Sequence, residues 1–112
     1  MSRNGASLMS GVPELLLLRL LSRGEMYGYE LARSIRIMSR ETIEVGESVL
    51  YPALHSLEQR KLLRSVRRSV EGRTRVYYRI TPAGQRRLTA LTEDWRRIST
   101  AVDTALQERS HG

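Results

Sequence analysis

Three helices, a short β-hairpin and one long closing helix, a mainly α fold with a small β-hairpin, is the architecture the sequence predicts. Apolar residues spaced by three and four in separate stretches, one run of period two, and Gly and Pro between them carry that prediction. At 112 residues the chain holds one small domain plus one accessory element, which excludes a multidomain enzyme. It has no Phe, so the core must be built from Leu, Ile, Val and Ala.

Residues 1–11 are small and polar and read as a flexible arm. Pro13 beside Glu14 signals a helix start, and Gly24 a stop. Between them Leu15 to Leu18, Leu20 and Leu21 are apolar nearly all round, so this first helix is expected to be buried on more than one side. A second helix is expected from about Tyr27 to Met38, with Tyr27, Leu31, Ile35 and Met38 as its core stripe. Tyr29, Arg33, Arg36 and Arg40 form the opposite, mostly basic stripe.

The third helix reads from about Ser48 to Arg60 with Leu50, Ala53, Leu54 and Leu57 inward. Pro52 removes a backbone donor there, so either the helix proper begins near Tyr51 or its first turn is irregular. Both versions leave Ser48, Tyr51, His55 and Gln59 facing out. In Arg75–Ile80, Val76, Tyr78 and Ile80 alternate with Arg75, Tyr77 and Arg79, which predicts a strand with a basic outer face. Leu63–Val70 is its partner, joined through a turn at Glu71-Gly72-Arg73-Thr74. Thr81-Pro82 pairs an N-cap hydroxyl with Pro at the first helical position. The last helix then runs to about Gln107, a length of roughly 39 Å. Its Leu88, Leu91, Trp95, Ile98, Val102 and Ala105 follow a heptad pattern.

The formal charge is +7, and all of it lies between Arg60 and Arg79, where eight basic residues face one acid, Glu71. Such a block attracts a polyanion, because each neutralised phosphate releases condensed counterions. All but one of these bases are Arg, whose planar fork suits phosphates and guanine edges. Zero Cys excludes disulfides, zinc ribbons and thiol catalysis and suits a reducing cytoplasm. No apolar run is long enough to span a bilayer, and no secretory signal is read at the N-terminus, so no membrane partner is expected. The only histidines are His55 and His111, and the only aspartates Asp94 and Asp103. With no HExxH, GxSxG, Walker or GxGxxG pattern, no enzyme, no metal site and no cofactor are expected.

Three helices followed by a basic hairpin is the layout of a winged helix-turn-helix, assigned to residues 12–81. Residues 82–108 are assigned to a dimerisation helix and residues 109–112 to a tail. In that layout the third helix enters the major groove and offers Ser48, Tyr51 and His55 to base edges. Arg67, Arg68, Arg73 and Arg75 of the wing lie along the backbone or in the minor groove, and Arg33, Arg36 and Arg40 of the second helix meet phosphates. Tyr51 has the alternative of packing its ring on the core, His55 of being a plain surface residue. Arg33 and Arg36 have the alternative of pairing with acids such as Glu30.

A helix as long as the last cannot be covered by its own domain. Leu88, Leu91, Trp95, Ile98 and Val102 are therefore expected to dimerise with a second copy, setting two reading helices about 34 Å apart on double-stranded DNA with a pseudo-palindromic operator. Paired Trp95 rings lining a cleft for a small flat aromatic effector is the further expectation, with a core role as its alternative.

Leu15–Leu21 (LLLLRLL), Tyr27–Leu31 (YGYEL), Leu50–Glu58 (LYPALHSLE), Gly72–Leu88 (GRTRVYYRITPAGQRRL) and the downstream Trp95 occur in that order. With these motifs the chain resembles the PadR family of transcriptional regulators, in its compact form with a single C-terminal helix. The resemblance implies a dimeric DNA-binding regulator, usually a repressor, with LYPAL in the reading helix and GRTR in the wing. It also implies response to phenolic or other flat hydrophobic compounds in many relatives. The chain departs from the family's usual Gly-Thr/Ser at Ser48 and Val49, from Gly at Lys61 and from Lys at Val76. A sequence-neutral architectural DNA binder, suggested by the lack of Arg on the reading face, and a protein-interaction adaptor using the heptad helix stand as alternatives.

Overall fold

The computed structural model describes residues 11–108. The flexible arm expected over residues 1–11 lies almost wholly outside them, as does the tail at 109–112. The elements run α1 (Val12–Leu21), β1 (Met26–Tyr27), α2 (Gly28–Met38), α3 (Glu47–Gln59), β2 (Leu63–Val70), β3 (Arg73–Ile80) and α4 (Pro82–Gln107). Four helices thus accompany a three-stranded antiparallel sheet of order β1-β3-β2.

The leucine-rich α1 is the centre of the core. Its Leu17, Leu18, Leu20 and Leu21 are buried against Leu31 and Ile35 of α2, Leu50, Leu54 and Leu57 of α3, and Leu63, Tyr78 and Leu88. Glu14 on its first turn ties α4 and the end of α3 to it, accepting from Arg87 at 3.4 Å and forming an ion pair with Arg60 at 3.1 Å.

Four expectations need correction. Tyr27 is not helical: it belongs to β1, a strand not foreseen, and its amide donates to the Glu30 carboxylate at 3.2 Å at the start of α2. Met38 is exposed instead of core, because the last turn of α2 runs past the residues that cover Leu31 and Ile35. The start of α3 is regular, with the Val49 and Leu50 amides donating to the Gly46 carbonyl at 3.0 and 2.8 Å. Pro52 sits inside this helix and leaves only the Ser48 carbonyl without its donor, on an exposed turn where water can serve it. Finally, the hairpin closes through two residues, since Arg73 and Thr74 already pair with Val70 and Ser69. Glu71 (φ 52°) and Gly72 (φ 79°) both take positive φ, as the type I′ turn that matches strand twist requires.

Lys61 caps the C-terminal end of α3 in the left-handed region (φ 64°), where the Leu62 amide reaches back to the Leu57 carbonyl at 2.9 Å. A side chain costs energy there, so Lys61→Gly is expected to raise stability by about 0.5–1 kcal/mol, measured by urea denaturation.

α4 begins as expected, with the Thr81 hydroxyl accepting from the Gly84 amide at 3.0 Å. Leu88 is buried in the domain's own core and Leu91 packs on its edge. From Glu93 to Gln107 every residue apart from Ser99 is exposed, so the helix projects from the domain. The molecule accordingly measures 67 × 27 × 23 Å.

Candidate nucleic-acid interface

The outer face of α3 is set by what its inner face buries. With Leu50, Leu54 and Leu57 inward, helical geometry turns Ser48, Pro52, His55 and Gln59 outward, and all four are exposed. Tyr51 lies on the flank of this face and is 37% exposed. Its ring lies over the backbone of Gly28, so close that a Cβ at Gly28 would come within 2.9 Å of two ring carbons. Tyr51 therefore packs part of its ring against the first turn of α2 and leaves the rest exposed. Val49, also exposed, adds an apolar group that the outward stripe did not include.

Arg33 and Arg36 lie beside the start of α3. With Tyr29, Glu44 and Gly46 they line a shallow hollow of about 240 Å³. Neither arginine joins an ion pair among the described residues, and Glu30 is occupied by the Tyr27 amide instead.

The hairpin has two faces, which the register assigns. Leu63, Tyr78, Ile80 and Val76 share one face with Arg67, Ser69 and Thr74; the first four pack toward the helices, while the last three lie beyond the core and are exposed. Arg64, Arg79, Tyr77, Arg68, Arg75 and Arg73 share the other face, joined by Tyr27 opposite Tyr77. Arg73 is exposed and follows directly on the turn. The Arg75 guanidinium lies 4.5 Å from the Tyr27 ring centre, and Tyr27 meets Tyr77 edge to face at 5.4 Å.

The basic block is less open than its sequence suggests. Arg60 is taken by Glu14, and Arg68 and Arg79 by Glu25. Lys61, Arg64, Arg67 and Arg73 stay outside ion pairs among the described residues. Arg68, expected at the DNA, thus has its guanidinium engaged within the protein. Glu25 and the Tyr27–Tyr77 pair were not singled out from the sequence. Recognising β1 was the only way to find them, since that strand brings Glu25 beside β3.

On α4, Trp95, Ile98 and Val102 are 49%, 50% and 50% exposed, and Leu106 78%. Val12 and Leu15 of α1 with Leu91, Trp95 and Ile98 of α4 line a mostly apolar groove of about 320 Å³. Among the described residues no cluster of His, Cys, Asp and Glu could hold a metal ion. None of the described helices is long and apolar enough to cross a membrane.

The sequence profile of the transcriptional regulator PadR-like family matches residues 17–90. A transcriptional regulator of Mycobacterium tuberculosis is 41% identical over 87 residues, 78% of this chain and 76% of its own length. A transcriptional regulator from Clostridium thermocellum superposes with a TM-score of 0.81 at 32% identity, covering 88% of this chain and 96% of that one. A PadR family transcriptional regulator from Eggerthella lenta superposes with a TM-score of 0.80 at 30% identity, over 96% and 93% of the two chains.

Proposed function

The chain belongs to the PadR-like family of transcriptional regulators, a family of DNA-binding proteins and not of enzymes, and from that premise we propose that it is a cytoplasmic, homodimeric, sequence-specific repressor. The observation that carries the reading is the pairing of an open α3 face with an Arg-bearing hairpin on one domain, from which a helix with an uncovered apolar stripe projects. Ser48, Tyr51 and His55 are the groups for base edges or sugars, Arg33 and Arg36 for phosphates at the start of α3, and Arg67, Arg73 and Arg75 for the wing. Two copies joined along Leu91, Trp95, Ile98 and Val102 would read the halves of a pseudo-palindromic operator in double-stranded DNA. Repression then needs only occupancy of that operator.

Arg73 has no partner in the protein among the described residues and stands at the hairpin tip. Arg73→Ala is expected to weaken binding to all duplexes and to lower the slope of log affinity against log salt by about one. A salt series of binding titrations measures it, and an unchanged slope removes Arg73 from the interface. Discrimination between an operator and random duplex separates the repressor from a sequence-neutral binder, for which the ratio would be near one.

Release by a small flat aromatic effector completes the proposal. The groove at Trp95 supports it, being mostly apolar and lined in part by Leu91, Trp95 and Ile98 of the proposed dimer contact, so that a ligand there would compete with the second copy. Titration of the full chain with planar phenols is expected to quench the emission of its single tryptophan; an unaltered spectrum across a broad panel removes the effector.

A further inference from the structure

The outer face of the hairpin, which also carries Arg73 and Arg75, is crossed by a bridge of three charged side chains. Glu25 directly precedes β1, and the pairing of Met26 with Tyr78 continues outward to bring Glu25 beside Arg79. The Arg79 Nε donates to one Glu25 oxygen at 3.0 Å, and its Nη2 donates to the same oxygen. Arg68, on the far strand β2, reaches across β3 with its guanidinium 5.8 Å from the Tyr77 ring centre. Its Nη2 donates to both Glu25 oxygens, at 2.7 and 3.0 Å, and its Nε to the first at 3.1 Å. One carboxylate therefore holds two guanidinium groups, and the pairing with Arg79, ahead of that with Arg68, keeps the Glu25 carboxyl below the ordinary carboxylate range against the opposing pull of partial burial.

Exposed ion pairs of this kind contribute little to stability. Their consequence for binding is larger. Both arginines lie within the basic block and are about half exposed, so a DNA phosphate could reach them if Glu25 did not hold them first. Sequence-neutral affinity grows with every cation that meets a phosphate, whereas base readout on α3 does not. We propose that Glu25 is a specificity-determining residue that withholds Arg68 and Arg79 from phosphates and so restrains binding to random DNA. This rests on the reading of the hairpin as a DNA-contacting wing.

The test compares the full chain with Glu25→Gln, Arg68→Ala and the triple variant Glu25→Gln/Arg68→Ala/Arg79→Ala on a random-sequence duplex across a salt series, with circular dichroism confirming that each is folded. Glu25→Gln is expected to raise random-duplex affinity about tenfold at low salt and to steepen the salt slope by about 0.9 for each guanidinium released. Arg68→Ala in the otherwise unaltered chain is expected to leave the slope unchanged, and the triple variant to return to the parental slope. An unchanged slope in Glu25→Gln, or a slope lowered by about one in Arg68→Ala, overturns the proposal. If Arg73→Ala still lowers the slope in that case, the wing reading stands and only the role of Glu25 falls; a parent chain that binds no duplex overturns both.

Discussion

Replacing Ile98 by Asp is expected to yield a folded monomer whose affinity for an operator is lower by about two orders of magnitude. Ile98 lies on the outer half of α4, well beyond Leu88, where the helix leaves its domain. A carboxylate there disturbs no core contact. In the proposed dimer it would be buried against apolar side chains of the second copy, without a partner, at a cost of several kcal/mol. Loss of the joint between two reading units removes the effective concentration, in the millimolar range for short connections, that makes the second half-site nearly free to bind. Leu91 is a poorer probe of the same contact because it also packs on the domain core. Sedimentation velocity gives the oligomeric state and titration of an operator gives the affinity. A variant that still sediments as a dimer, with unchanged binding, removes α4 from the interface.

Gly84→Ala is expected to be the most damaging glycine-to-alanine change among the described residues, at about 3 kcal/mol. Gly84 is buried in the first turn of α4, and a Cβ there would overlap the Leu62 carbonyl oxygen and crowd Ile80. A side chain could rotate away, but a backbone carbonyl cannot, and the same segment is held by hydrogen bonds from the Thr81 amide to Leu62 (3.1 Å) and from the Thr81 hydroxyl to Lys61 (2.8 Å). α4 would have to lift from the α3–β2 corner. A thermal melt should show the midpoint lowered by roughly 12 °C or more, as expected for a domain of this size. A midpoint within a few degrees of the parent would mean that this corner yields more easily than its hydrogen bonds imply.

The helices and the hairpin to which the proposed DNA face is assigned were legible because local chemistry and long-range packing agree there. Thr81-Pro82 opens α4, period two marks β3, and Leu50, Leu54 and Leu57 bury the inner face of α3. Tyr27 shows where such reading stops. Its spacing from Leu31 and Ile35 fits a helical stripe, but a two-residue strand has no period to detect, and pairing with Tyr77, 50 positions away, decides its state. Pro52 shows the converse. The penalty for an interior Pro is one lost hydrogen bond and a steric conflict, and on the exposed face of α3 water can meet the carbonyl it leaves, so the helix need not be broken. The charge block misled in degree: composition counts bases, whereas Glu14 and Glu25 reach it only through the fold, Glu25 being 43 positions from Arg68 and 54 from Arg79.

Selection of duplexes from a random pool by the full chain, followed by sequencing, tests the two-fold reading of DNA most directly. The expected result is strong enrichment of inverted repeats whose half-site centres lie about 10 base pairs, or a whole number of helical turns, apart. Recovery of a pool indistinguishable from the input would contradict it.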